Sequence, residues 1–192
     1  MGGPMDDHIG DKELRALYGY PREFVTNAHA QHLEASTIQF IQHSSFFILS
    51  SVNQDGDVDI SPKGGSPGFV RVVDKTHLTF LDRPGNRKLH TVENLSTNAH
   101  VGLMFMVPGV GDFLRLYGQA YATHDTKLIS EMGGKPDENK LVIHIEIRKV
   151  FPHCPAAARI SALWGEHANV SNNVPGVTQM AESLAASREI LS

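Results

Sequence analysis

Two hydrophobic periods divide the chain. Up to about residue 45 the apolar positions recur at helical spacing: Leu14, Leu17 and Tyr18 follow Asp11, a residue suited to capping a short helix, and Leu33, Thr37, Phe40 and Ile41 fall near a 3.6 period. Beyond that the period shortens. Phe46 to Val52 is an almost unbroken apolar run, NQDGD at 53–57 is the kind of cluster that turns a hairpin, and Val58 and Ile60 alternate with Asp57, Asp59 and Ser61. More strands are predicted over Phe69–Val73 and Leu78–Leu81, at the odd positions Val101, Leu103, Phe105 and Val107, and over Leu114–Ala122. The clearest is Leu141–Val150, where Ile143, Ile145 and Ile147 alternate with His144, Glu146 and Arg148.

Six or seven short strands with brief helices between them imply an α+β, mainly β arrangement: an antiparallel barrel-like core with helices outside it, not a series of βαβ units. The Pro and Gly residues gather in SPKGGSPG, RPGN and VPGVGD, where a small barrel needs its turns. There is no repeat and no low-complexity linker, so residues 1–192 read as one domain, its core at about 40–164 with helical extensions on either side.

Composition narrows the function. With 41% hydrophobic and 20% charged residues the chain can bury a core, and a formal net charge of −4 removes any general attraction for nucleic acid or an anionic membrane. An anion bound here needs a local cluster of cations. The single cysteine, Cys154, forms no internal disulfide, and neither a secretory leader nor a membrane-spanning run is visible, so a reducing, cytoplasmic setting is expected. The N-x-S patterns at Asn94 and Asn169 matter only in a secreted chain.

The segment DRPGNRKLHTVENLS, 82–96, carries the most chemistry. A Pro-Gly turn leads to Asn86, a good N-cap, and then to a predicted helix with Leu89, Val92 and Leu95 on its inner side. Arg87 and Lys88 then fall in the first turn, facing the positive end of the helix dipole at a cost of roughly 0.3–1 kcal/mol each. A phosphate would offset that cost; a solvated basic turn is the other reading. Ser61 and Lys63 stand at a strand end before a Gly-rich turn, either at a cavity mouth or on a surface hairpin. The G-G-S-P-G match to a nucleophile elbow at Ser66 fails, because Pro67 has no backbone N–H for an oxyanion.

Other chemistries find little support. His29 and His32 are the one histidine pair at helical spacing, without an H-E-x-x-H or a carboxylate cluster, so no metal site is expected. Cys154 stands beside His153, but adjacent side chains diverge, and Cys154 reads as the opening of a helix through Pro155 to Leu163. Neither G-x-G-x-x-G nor a Walker A sequence occurs. Trp164, before a C′-like Gly165, is either an aromatic anchor in a core or dimer contact, or an edge contact for a planar ligand.

The stretches FIQHSSFFILSS, GDVDISPKGGSPGFVRVVD, LDRPGNRKLHTVENL, VGLMFMVPGVGDFLRLYGQA and FPHCPAAARISALW together resemble the pyridoxamine 5′-phosphate oxidase-like, FMN-binding split-barrel superfamily, nearest to a bacterial subfamily of uncharacterised flavin-nucleotide-binding proteins. The resemblance implies a homodimer with two FMN sites at its interface. It sets the FMN phosphate on Arg87 and Lys88 with help from Asn86, runs Ser61, Pro62 and Lys63 along the ribityl chain and pyrimidine edge, and backs the ring with Phe80, Leu81 and Asp82. Arg115 and Trp164 would come from the partner subunit. The basic, histidine-containing C-terminal segment of the family's name-giving enzyme has no counterpart in NVPGVTQMAESLAASREILS, so that enzyme's own substrate is not expected here. The implied activity is an FMN-dependent oxidoreductase; the alternatives are a passive flavin binder, or a barrel using a deazaflavin or a haem, with His90 or His100 as the haem ligand.

Overall fold

The computed structural model describes residues 9–83, 85, 87–138, 140–165 and 174–189. Three helices come first, α1 (Asp11–Tyr18), α2 (Glu23–Asn27) and α3 (Ala35–His43), followed by β1 (Phe46–Val52), β2 (Val58–Gly64), β3 (Val70–Val72) and β4 (His77–Leu81). Then come α4 (His90–Leu95), β5 (His100–Met106), β6 (Phe113–Thr123), α5 (Thr126–Glu131), β7 (Val142–His153), α6 (Ala156–Ile160) and α7 (Val177–Glu189).

All seven strands join one sheet, antiparallel throughout, in the order β2-β1-β5-β6-β7-β4-β3. Its two edges, β2 and β3, are consecutive in sequence and joined only by residues 65–69, so the sheet has to curl until its edges nearly meet. Phe47 on β1 packs edge-on against Phe80 on β4 at 5.2 Å between ring centroids, although three strands lie between them in the sheet. No ladder pairs β2 with β3, and the result is a split barrel, α+β as the strand pattern implies.

Alternation along each strand divides the sheet into two faces. Phe47, Leu49, Leu103, Phe105, Leu116, Ile143 and Ile145 point inward and are almost wholly buried. The next residues along the strands point outward, so that Pro62, Ile48, Met104, Arg115 and Phe151 form one transverse row across five strands. A bulge between Tyr117 and Gly118 of β6 shifts the register with β7 just beyond that row, and at Gly118 a Cβ would collide with the carbonyl oxygen of Glu146. The NQDGD turn is held by Asn53, whose Oδ1 accepts the N–H groups of Asp55 at 2.9 Å and Asp57 at 2.8 Å, with Gly56 at φ 90°.

Several local expectations need correction. Asp11 is the first helical residue of α1 and Gly10 its N-cap; Leu14, Leu17 and Tyr18 stay exposed, because none of the described residues covers that helix face. Leu33 and Thr37 do not share a helical stripe: Leu33 precedes α3 and is buried, while the Thr37 Oγ1 accepts the N–H of N-cap Glu34 at 2.9 Å in a capping box. The helix after Cys154 is shorter than its pattern suggests. It spans only Ala156–Ile160 with Pro155 at the N-cap, and Ala162, at φ 48°, rather than Gly165, takes up the left-handed backbone that ends it. The α5 helix, capped by the Asp125 carboxylate on the Leu128 N–H, went unforeseen among the strands. None of the described helices is long and apolar enough to cross a membrane.

Candidate functional site

A cavity of about 810 Å³ lies along the split of the barrel. One wall is the end of β2. Because side chains alternate, Asp59, Ser61 and Lys63 share the inward face of this strand, opposite Ser51, Leu49 and Phe47 of β1, and Pro62 borders the same cavity. Pro62 is tolerated because β2 is an edge strand, where its missing N–H costs no ladder bond. The facing wall is the end of β4 and the segment after it: Phe80, only 1% exposed, then Leu81 and Asp82. Asp82 is anchored by its own N–H, which donates to the Leu141 carbonyl at 3.0 Å.

The two walls meet electrostatically. Lys63 Nζ lies 3.3 Å from Asp82 Oδ1, and the two side chains are only 19% and 22% exposed. This ion pair therefore bridges β2 and the end of β4, which no backbone ladder connects at that point. Beyond it runs the basic segment 83–89, whose Arg83, Arg87 and Lys88 all border the cavity.

That segment is not the helix start that its sequence suggests. Arg87 and Leu89 both adopt left-handed backbone, at φ 62° and 57°, which a right-handed helix cannot continue. So α4 begins at His90, with Leu89 rather than Asn86 at its N-cap and no side-chain cap. Leu89 is exposed, not an inner-face residue; the buried side chains of α4 are Thr91, Asn94 and Leu95. Arg87 and Lys88 precede the helix, so the dipole argument does not apply to them, and what gathers them is the cavity itself. Asn86 lies outside the described residues.

On the other side α4 is fastened to the strand wall. Asn94 Nδ2 donates to Ser51 Oγ at 3.0 Å in a buried contact, and Thr91 Oγ1 donates to Asp59 Oδ2 at 3.2 Å. His90 Nδ1 lies 3.8 Å from the other oxygen of Asp59. Asp59, Thr91, Arg83 and Lys140 are thus cavity residues that sequence reasoning passed over. The period of β2, which places Asp59 on the face of Ser61 and Lys63, was a usable signal for the first of them.

Ser61, Pro62, Lys63, Phe80, Leu81, Asp82, Arg87 and Lys88 are brought together around this one cavity. Arg115 and Trp164 stand elsewhere in the same chain. Arg115 is on the outer face of β6, its guanidinium 4.8 Å from the Phe151 ring centroid and hydrogen-bonded to the Tyr117 hydroxyl. The Trp164 Nε1 donates to the Val110 carbonyl at 2.9 Å beside a small surface pocket of about 220 Å³. Of the two histidines proposed for haem, His90 borders the cavity, whereas His100 is exposed at the start of β5 with Nδ1 3.0 Å from Asn98 Oδ1.

The family described as pyridoxamine 5′-phosphate oxidase matches residues 33–154, which span β1 to β7 and every described wall of the cavity. No curated protein matches the chain in sequence. Among solved structures, a putative pyridoxamine 5′-phosphate oxidase from Lactobacillus delbrueckii is similar at 22% identity and a TM-score of 0.50, over 64% of this chain and 95% of that one. HupZ from group A Streptococcus is similar at 16% identity and a TM-score of 0.50, over 62% of this chain and 93% of its own. At these identities the likeness is one of fold.

Proposed function

The chain is a member of the pyridoxamine 5′-phosphate oxidase family, and from that premise we propose that its cavity binds FMN and that the protein is an FMN-dependent oxidoreductase. The observation that carries the reading is the convergence, on one cavity, of residues distant in sequence and individually ambiguous: Lys63 from β2, Phe80 from β4, and Arg87 and Lys88 from the segment before α4.

The chemistry of the wall fits the cofactor. Arg87 and Lys88 offer exposed cations for a terminal phosphate, and charge-assisted hydrogen bonds of that kind contribute about 1.5–3 kcal/mol each. Phe80 and Leu81 supply an apolar backing for a planar ring, while Ser61 and Lys63 supply polar groups for the ribityl chain and the pyrimidine edge. The volume lies within the roughly 300–1,000 Å³ usual for ligand pockets. At about −0.3 kcal/mol per atom, a ligand of some thirty non-hydrogen atoms reaches roughly −9 kcal/mol, a sub-micromolar affinity without a covalent tether. Bound FMN supplies hydride chemistry; the chain holds the phosphate, orients the ring and excludes water from it.

The same reading gives the outer face of the sheet to a second copy of the chain. Val58 and Ile60 are 61% and 66% exposed there, and Tyr117 and Phe151 stand beside Arg115. Arg115 and Trp164, which do not border the cavity of their own chain, would serve the partner's.

The test is direct. Purified protein should be yellow, denaturation should release FMN, identified by absorbance and mass, and the native protein should elute as a dimer. Arg87→Glu combined with Lys88→Glu should abolish FMN binding while leaving the fold intact, since exposed charge changes usually alter stability by less than about 0.5 kcal/mol. Colourless protein that ignores added FMN would sink the cofactor assignment, and a haem or deazaflavin in the extract would replace it. Bound flavin that neither NAD(P)H nor a panel of small substrates reduces would leave a passive flavin binder.

A further inference from the structure

The Lys63–Asp82 pair holds more than the two lips of the barrel. Its partners come from strands at opposite sides of the split, β2 and the end of β4, and both border the cavity with about four-fifths of each side chain shielded from water. A carboxylate 3.3 Å from an ammonium cancels much of its field on any third group nearby, and in a shielded site solvent contributes little screening of its own. The charge that Lys63 presents to a ligand is therefore set by Asp82. The Asp82 backbone is tied to Leu141 by its N–H at 3.0 Å, which holds the carboxylate at the wall.

We infer that Asp82 is a positioning residue that fixes the reduction potential of the bound ring by restraining the charge of Lys63. The inference rests on the FMN reading above. Oxidised FMN is neutral at its ring, whereas uptake of two electrons and one proton leaves the ring anionic, with the charge on the pyrimidine side, to which the FMN reading assigns Lys63. With Asp82 ionised the pair is close to neutral and favours neither state strongly. With Asp82 replaced by a neutral isostere, Lys63 faces the ring uncompensated and favours the anionic, reduced form.

The test compares wild type with Asp82→Asn, Lys63→Gln and the double variant, each loaded with FMN, by equilibrium titration against a redox dye of known potential and by oxidised-FMN binding. Asp82→Asn should raise the preference for reduced over oxidised FMN about tenfold, which for a two-electron couple is about 30 mV upward. Lys63→Gln should move it downward, and the double variant should lie between the two singles and near wild type. Circular dichroism establishes that each variant is folded, and Lys63→Gln keeps the question open to measurement if Asp82→Asn does not fold. A preference for reduced over oxidised FMN in Asp82→Asn within threefold of wild type, in protein that binds FMN normally, overturns the inference and leaves the cofactor assignment standing. So does loss of FMN from Asp82→Asn alone, which would give the carboxylate a part in binding beyond its effect on Lys63. Wild-type protein that takes up no FMN overturns both readings together.

Discussion

The strands and the loop that line the cavity are built by opposite means. The strand wall, with Ser61 and Lys63 on β2 and Phe80 on β4, is fixed by ladder register and by a buried aromatic cluster in which Phe47 contacts Phe69, Phe80 and Phe105 at 5.7, 5.2 and 4.9 Å. The loop wall, 83–89, has no ladder among its described residues. Its course depends on two non-glycine residues in left-handed backbone, Arg87 and Leu89, and both are exposed. One wall is stable because it cannot change without breaking the core, while the other holds a conformation that costs about 1–2 kcal/mol per residue and places cations where a ligand can use them.

The largest effect should come from the strand wall. Phe47→Ala removes a fully buried ring that touches three others, and should cost about 3–5 kcal/mol of unfolding free energy by denaturant titration. A loss below about 1 kcal/mol would mean that the two ends of the sheet do not share one core. Next comes Gly118→Ala, which forces a methyl against the Glu146 carbonyl at the bulge and should cost about 1–3 kcal/mol, without changing the cations of the loop wall.

In the loop wall the sign should reverse. Leu89→Gly relieves left-handed backbone at an exposed site, and the gain of about 1–2 kcal/mol is offset by about 0.4–1 kcal/mol of added entropy in the unfolded chain. A net stabilisation of up to about 1.5 kcal/mol is expected from thermal and denaturant melts. A destabilised variant would show that the Leu89 side chain supports the wall after all.

The smallest effect belongs to the turn between β3 and β4, at the far edge of the strand wall. Asp74 accepts hydrogen bonds from the Thr76 N–H at 2.7 Å and from the side chains of Thr76 and His77, and these lower its pKa from 3.8 to about 2. A lowered carboxylate pKa adds stability that is complete above pH 4 and lost as pH falls toward 2. Asp74→Asn should flatten that part of the acid limb and leave the neutral range almost unchanged. An identical acid limb in the variant would remove this turn from the stability of the wall.

The same contrast explains what was legible in the sequence. Most strands whose inward residues alternate could be placed within a residue or two: β1 is found at Phe46–Val52, where its apolar run lies, and β5 one residue earlier than the Val101–Val107 set, although β7 runs three residues past its expected end at Val150. Hydrophobic burial has a period, and the period is written in the residues. The loop wall was misread because its residues, Asn86, Arg87 and Lys88 before a helical stripe, satisfy the local rules of a helix start, whereas the backbone takes a left-handed path that no side-chain pattern announces. The same residues were nonetheless picked as a basic cluster, because charge in a turn is visible without knowing the backbone. Asp59 and Thr91 were missed for a different reason: their proximity arises only when α4 folds back on β2.

The joining of the two sheet edges by residues 65–69 has a mechanical consequence. Six steps of chain from Gly64 to Val70 reach at most about 20 Å when drawn straight, and the link is already crowded where a Cβ on Gly65 would meet the Phe69 ring at 2.7 Å. The link acts as a leash: whatever enters the barrel, its lips cannot part beyond that reach at this end, and guests of different size have to be accommodated by reshaping the strands' untethered surroundings.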